Sequence, residues 1–345
     1  MENKIKGRDI GIDLVKFLAI IGVIIIHLCD FELKIGTSNW MWSLFWGSIT
    51  RASVPLFLMA SGAIMLKPEK EIPVKRLYSK NILRILVAMF FWGIVYKVCN
   101  LIALDIFSFK SLWIVTKEVL LFNQEFHFYY MHIILLVYAF LPITKIIIKN
   151  ADEKQLRYLL MIWFVVAVLY PTLQPFRPFY YVRGLVPQWS MNLAYASIGY
   201  GILGYYLKRY SLPKWLDIIF IVVGIMIIFW GTYIMSNING ELYEHFLGGS
   251  GLGAAMLGTG LFSLINKVKI ESEKTKIIIE WFSKASFCVY LCHMLIVHGL
   301  KKIGIDTGFA SYGISIPVLG IIIFICSNGI YAILSHIPIV KKWIV

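Results

Sequence analysis

Residues 11–27 read GIDLVKFLAIIGVIIIH, a run that approaches the length of a bilayer-spanning helix yet carries Asp13, Lys16 and His27 inside it. Ionisable side chains in hydrocarbon are costly, so each of the three is a functional candidate. Lys16 and His27 are eleven residues apart, close to a whole number of helical turns. That spacing puts them on one face, about 16 Å apart along the axis. Asp13, three residues before Lys16, is placed to pair with it and relieve part of the burial cost. The spacing admits two readings: a cation and a titratable base sharing one face, or a snorkelling lysine and an interfacial histidine.

The rest of the chain repeats this apolar character. Of 345 residues, 59% belong to the apolar set and 15% are charged, with a mean hydropathy of +0.76. Water does not solvate that much hydrocarbon, which excludes a cytosolic enzyme, a nucleic-acid-binding domain and a disordered regulator. Apolar windows of spanning length fall at 11–29, 41–66, 82–104, 128–148, 156–174, 191–207, 214–235, 250–266, 285–300 and 313–335. The expectation is an all-α polytopic protein of about ten transmembrane helices, with residues 1–345 as one domain. Pro55 predicts a kink or break inside the second segment. The basic stretch before the first segment has no small-residue cleavage pattern and is expected to be retained as a signal anchor.

The basic excess, 33 Lys and Arg against 19 Asp and Glu, is read as positive loops rather than a nucleic-acid surface. Alternate connections carry twenty Lys and Arg on one side and seven on the other. Such asymmetry places both termini in the cytoplasm and gives an even number of spans, in the cell (plasma) membrane. Loop 105–127 has the pattern of an interfacial helix. The stretch 171–190, with several prolines and aromatics, reads as an ordered extended outer loop. Cys288 and Cys292 share a helix face but have no His or carboxylate spacing for a metal, so they read as small hydrophobes.

Further buried charges follow. Arg51 lies deep in segment two, either to stabilise a developing oxyanion or to pair with a carboxylate. Arg76, Lys80 and Arg84 are spaced four apart and share a stripe if the third helix starts early. They serve either as anion ligands or as ordinary positive-inside anchors, with Arg84, inside the apolar run, favouring the former. His293, mid-segment, either assists catalysis or holds a neighbouring helix. Glu125 and His127 are expected to face outward, where they would bind substrate or orient His27.

At this point the sequence resembles a family. A Lys or Arg followed by ten residues and a His in the first segment is the signature of the acyltransferase-3 family of integral membrane acyltransferases. The stretch RASVPLFLMASG at 51–62 is similar to that family's Val-Pro-Leu-Phe…Ser-Gly sequence. KNILRI at 80–85 resembles its basic-pair-x-x-Arg-Ile motif, although Lys80-Asn81 departs from two arginines. HFYY at 127–130 with Leu141-Pro142, and VYLCH at 289–293, complete five matches in order. Arg51 before Val-Pro is similar to the polysaccharide O-acetyltransferase branch.

The resemblance implies transfer of an acyl group, most often acetyl, from cytosolic acyl-CoA to a hydroxyl of an extracytoplasmic or lipid-linked glycan. It implies His27 as catalytic base or acyl relay, with Lys16, Arg51 and His293 as further catalytic candidates and Asp13 in support. Lys16, Arg76, Lys80 and Arg84 would bind acetyl-CoA, and Glu125, His127 and Tyr290 would bind the acceptor. A transporter or flippase using the same buried charges as a relay is the alternative. No metal is implied, and no phosphate loop or Gly-x-Ser-x-Gly elbow is present.

Overall fold

The first helix starts where the sequence supplies a cap. The Asp9 carboxylate accepts a hydrogen bond from the Ile12 amide, and the helix runs Ile10–Asp30 (α1). The structure is a computed structural model describing residues 8–37, 39–182 and 193–345. Among these residues there are helices and no strands.

The second segment is broken as its proline predicts. It forms Trp40–Thr50 (α2) and Ser53–Met65 (α3), separated at Arg51 and Ala52. Pro55 falls in the first turn of α3, where its missing N–H leaves no intrahelical bond unmade. Thr50 Oγ1 donates to the Trp46 carbonyl at 2.7 Å, and Ser53 Oγ to the Thr50 carbonyl at 2.6 Å, so side chains satisfy the freed backbone oxygens.

The third helix starts earlier than its apolar window. A turn at Val74–Arg76 and a π-helical stretch Leu77–Ile82 lead without interruption into Leu83–Ala103 (α4). Loop 105–127 contains the expected amphipathic helix, Phe109–Leu120 (α5), started by a capping box of Ser108 and Ser111. Its Phe109 and Trp113 rings are exposed. Then follow Tyr129–Asn150 (α6), Glu153–Trp163 (α7, continued by a π-helical stretch and a short turn to Leu173), Leu193–Arg209 (α8) and Lys214–Asn239 (α9). Leu252–Ile265 (α10), Glu273–Lys302 (α11), Tyr312–Leu334 (α12) and the short Pro338–Trp343 (α13) complete the chain.

Nine of the ten expected segments are, among the described residues, helices long and apolar enough to cross a membrane. The sixth expected segment corresponds to α8, of which 17 residues are described. Segment nine was read too short. Helix α11 begins at Glu273, because it continues through the charged turns at Lys274, Lys276 and Glu280 that an apolar window excludes. The stretch 171–190 is a short helix and a 3-10 turn up to Val182, and 183–190 lies outside the described residues.

Helix α1 sits at the centre, packed against α2, α3, α11 and α12. Helices α3 and α8 touch backbone to backbone: a Cβ on Gly62 would lie 1.9 Å from the Gly201 carbonyl oxygen. Small residues allow this approach where lipid supplies no hydrophobic drive between helices. One end of α1 is tied to α12 and its preceding loop by Glu32, which accepts from Thr307 Oγ1 and Tyr312 Oη, both at 2.7 Å. At the other end Lys208 joins Asp9 (2.8 Å) to Asn266 (2.9 Å). Asp217, fully buried, is paired with Lys267.

Candidate active site

Arg8, just before α1, and the 338–345 segment meet at one cavity. Its volume is about 790 Å³, within the range of small-molecule sites. Its mouth is cationic: Arg8, Lys16, Arg76, Lys80, Arg84 and Lys284 line it, joined by Lys341 and Lys342 of α13. The lining also carries aromatic rings, and the buried Tyr130 and Tyr290 are among them. The expected stripe is real, since Arg76, Lys80 and Arg84 all face this space, and the early start of the third helix is what brings the first two there. Outside the spans on this side, Lys70 titrates below an ordinary lysine through partial burial and the positive charges of Lys145, Lys67 and Arg76.

Lys16 lies in the wall, its ammonium donating to the Ser283 carbonyl at 3.3 Å. Asp13, its expected partner, does not pair with it. That carboxylate, 4% exposed, is gripped by Arg8 (Nε at 2.6 Å, Nη2 at 2.9 Å) and by the Ser283 hydroxyl at 2.6 Å. A guanidinium makes two parallel bonds to a carboxylate where an ammonium makes one, so Arg8 takes the pair. Asp13 thereby ties α1 to α11 beside the cavity. Arg84 lays its guanidinium 5.3 Å from the Phe287 ring and donates to the main-chain oxygen of Val345 at 2.5 Å.

Beyond the two tyrosines lie three buried histidines. His27 near the end of α1, His127 just before α6 and His293 within α11 form a triangle. Ring centroids are 5.3 Å apart for His27–His293, 5.6 Å for His127–His293 and 6.1 Å for His27–His127. All are at most 7% exposed. The tyrosines form a second layer one turn away on the same two elements, since Tyr130 follows His127 by three residues and Tyr290 precedes His293 by three. Their centroids are 5.5 Å apart, and the Tyr290 hydroxyl donates to the His127 carbonyl. Tyr96 braces the cluster, its ring 5.0 Å from His127 and its hydroxyl donating to the Leu291 carbonyl at 2.9 Å.

His293 Nδ1 faces the carbonyls of Val289 (3.2 Å) and Tyr290 (2.8 Å). A carbonyl only accepts, so Nδ1 carries the hydrogen and Nε2 presents a lone pair. That Nε2, with His27 Nδ1 and His127 Nε2, is buried without a hydrogen-bond partner. Three uncommitted ring nitrogens in one buried cluster are unusual enough to mark a site. Among the described residues no group of His, Cys, Asp or Glu side chains is arranged to hold a metal ion.

One further expectation is corrected. His127 does not face outward: it is 1% exposed and packs on the other imidazoles. Its place at the end of the outer-read loop suggested exposure, but the 3-10 turn Phe126–Phe128 folds it inward. Glu125 is instead drawn to Lys97 at 3.8 Å, and Lys97 also meets Glu118 at 3.4 Å. Of the two roles open for Arg51, the structure displays the ion pair, with Asp30 at 3.2 Å. Arg8, Lys284, Lys341 and Lys342 join the lining although each lies near a segment end, where basic residues read as ordinary anchoring.

Fold and site together define a polytopic membrane protein that holds a cation-lined cavity against a cluster of buried imidazoles. Residues 9–334 match the acyltransferase domain of the acyltransferase-3 family. The chain belongs to that family and is a membrane acyltransferase. No curated protein and no solved structure gives a significant match.

Proposed function

We propose that the protein takes an acyl group, most simply acetyl, from acyl-CoA at the cationic mouth and passes it to a hydroxyl of a glycan on the opposite side of the plasma membrane. The observation that carries this is the polarity of the cavity: cations at its mouth, aromatic walls within, and three buried imidazoles behind Tyr130 and Tyr290. Acyl-CoA has the same polarity. Its phosphates are multiply charged, its pantetheine arm is long and neutral, and its thioester stands at the far tip.

Arg76, Lys80, Arg84 and Lys16 hold the phosphates, for which the guanidinium fork of arginine is well suited. The arm reaches inward as Tyr130 and Tyr290 turn aside, bringing the thioester carbonyl to His27. A hydroxyl is a poor nucleophile near neutral pH, and His27 accepts its proton as it attacks. The tetrahedral intermediate then collapses, the carbon–sulfur bond breaks, and the proton leaves with the thiolate as CoA thiol. Alternatively His27 attacks the thioester first, the carbon–sulfur bond breaks and CoA leaves as the thiol with the imidazole proton; the acceptor hydroxyl then cleaves the acyl-imidazole and its proton returns to the imidazole. His293, with its hydrogen fixed on Nδ1, is oriented to accept a hydrogen bond through Nε2 within the same cluster.

The test is radiolabelled acetyl-CoA with purified protein. Transfer to a glycan acceptor, or slow hydrolysis in its absence, is expected. Binding and translocation of a glycan with no acetyl-CoA turnover would instead identify a transporter.

A further inference from the structure

The family match ends at residue 334, but the cavity does not. After α12 the chain passes through a turn and α13 brings it back to the cationic mouth. Its main chain is held at two points by the third membrane segment. Arg84 Nη2 donates to the oxygen of Val345 at 2.5 Å, and Trp92 Nε1 to that of Ile344 at 3.1 Å. Val345 is 3% exposed, so this end is packed in place. Lys341, Lys342, Trp343 and Val345 thereby complete the cavity wall begun by Arg76, Lys80 and Arg84.

The ion pairs nearby sharpen the point. Lys208 is matched by Asp9, Lys267 by Asp217 and Lys284 by Glu280. Among the described residues Arg76, Lys80, Lys341 and Lys342 form no ion pair with a carboxylate, and all four line the cavity. Like charges gathered around one space repel, and such a site favours a bound polyanion. Two of the four come from the segment outside the family match, and Arg84, which anchors that segment, lines the same cavity.

We propose that residues 338–345 are part of the donor site: Lys341 and Lys342 contact phosphates of acyl-CoA, and Arg84 and Trp92 seat the segment so that they do. This rests on reading the cavity as the acyl-CoA site. Arg84 has donors to spare for both tasks, since a guanidinium carries five N–H groups.

The experiment measures binding of free CoA to the purified full chain, at two salt concentrations. The Lys341→Gln/Lys342→Gln variant is expected to weaken CoA binding at least about tenfold and to flatten its salt dependence. Lys341→Arg/Lys342→Arg should bind like the parent. Trp92→Phe, which keeps a ring and loses only the N–H donor, should weaken binding several-fold through the seating. Lys149→Gln/Lys154→Gln, away from the cavity lining, should leave it unchanged. Failure of the parent to bind CoA would overturn the donor reading itself. A parent that binds and a Lys341→Gln/Lys342→Gln variant that binds equally well would overturn this inference alone, as would equal weakening by the Lys149→Gln/Lys154→Gln control. An unaffected Trp92→Phe would overturn the seating role.

Discussion

At the scale of single residues, the three imidazoles set the sharpest expectation. Whether His27 acts as a base or carries the acyl group, the proposed reaction needs it. His27→Ala should cut transfer by about 10²–10⁴-fold, the usual worth of a general base, while the protein still inserts and runs as a monodisperse species. Near-parental turnover would show that the reaction proceeds elsewhere. The two routes separate with acetyl-CoA and no acceptor: a relay leaves labelled protein, and direct transfer leaves none. Lys16 and His27 were recognisable from spacing because both lie on one helix, whose periodicity is fixed. The partners of Asp13 were not. Arg8 precedes the helix, and Ser283 arrives from a segment 270 positions away. His293 stood out as a mid-membrane histidine, but its tautomer depends on carbonyls seen only once the helix is built. Likewise the acceptor of Arg84, Val345, is 261 positions distant, and no local pattern encodes such a contact.

At the scale of elements, helices were predictable and their joints less so. Apolar windows located nearly every span because backbone groups in lipid must be satisfied within a helix. They missed the continuation of α11 and the early start of the third helix, since both extensions are polar. Pro55 correctly announced a break, yet the break falls at Arg51 and Ala52, just ahead of the proline, because a proline is tolerated in a first turn. The tightest joint is the crossing of α3 and α8. Gly62→Ala would press a methyl carbon to within 1.9 Å of the Gly201 carbonyl, and neither backbone can yield as a side chain would. The expected cost is about 1–3 kcal/mol, read as a lower unfolding temperature in detergent. Gly299→Ala, with nothing within 4 Å of the new carbon, serves as the matched control and should not lower it. Equal behaviour of the two would show that the crossing is looser than its geometry.

At the scale of the whole molecule, Arg8 and the 338–345 segment gather at one face and the histidines stand toward the other. The charge asymmetry of the loops predicts that the first face is cytoplasmic. Cysteines placed at Ser108 and Gln174 should therefore react with impermeant reagents in intact cells, and one placed at Glu71 should not. Labelling at Glu71 with protection of the other two would invert the molecule. The tyrosine layer then has a consequence for the cell as well as for the reaction. A cavity open to the cytoplasm that ran on through the histidines would be a conduit, and protons or ions would follow it down their gradient. Tyr130 and Tyr290 close its inner end. A barrier there would let a cell carry many copies without discharging the membrane potential on which its other work depends.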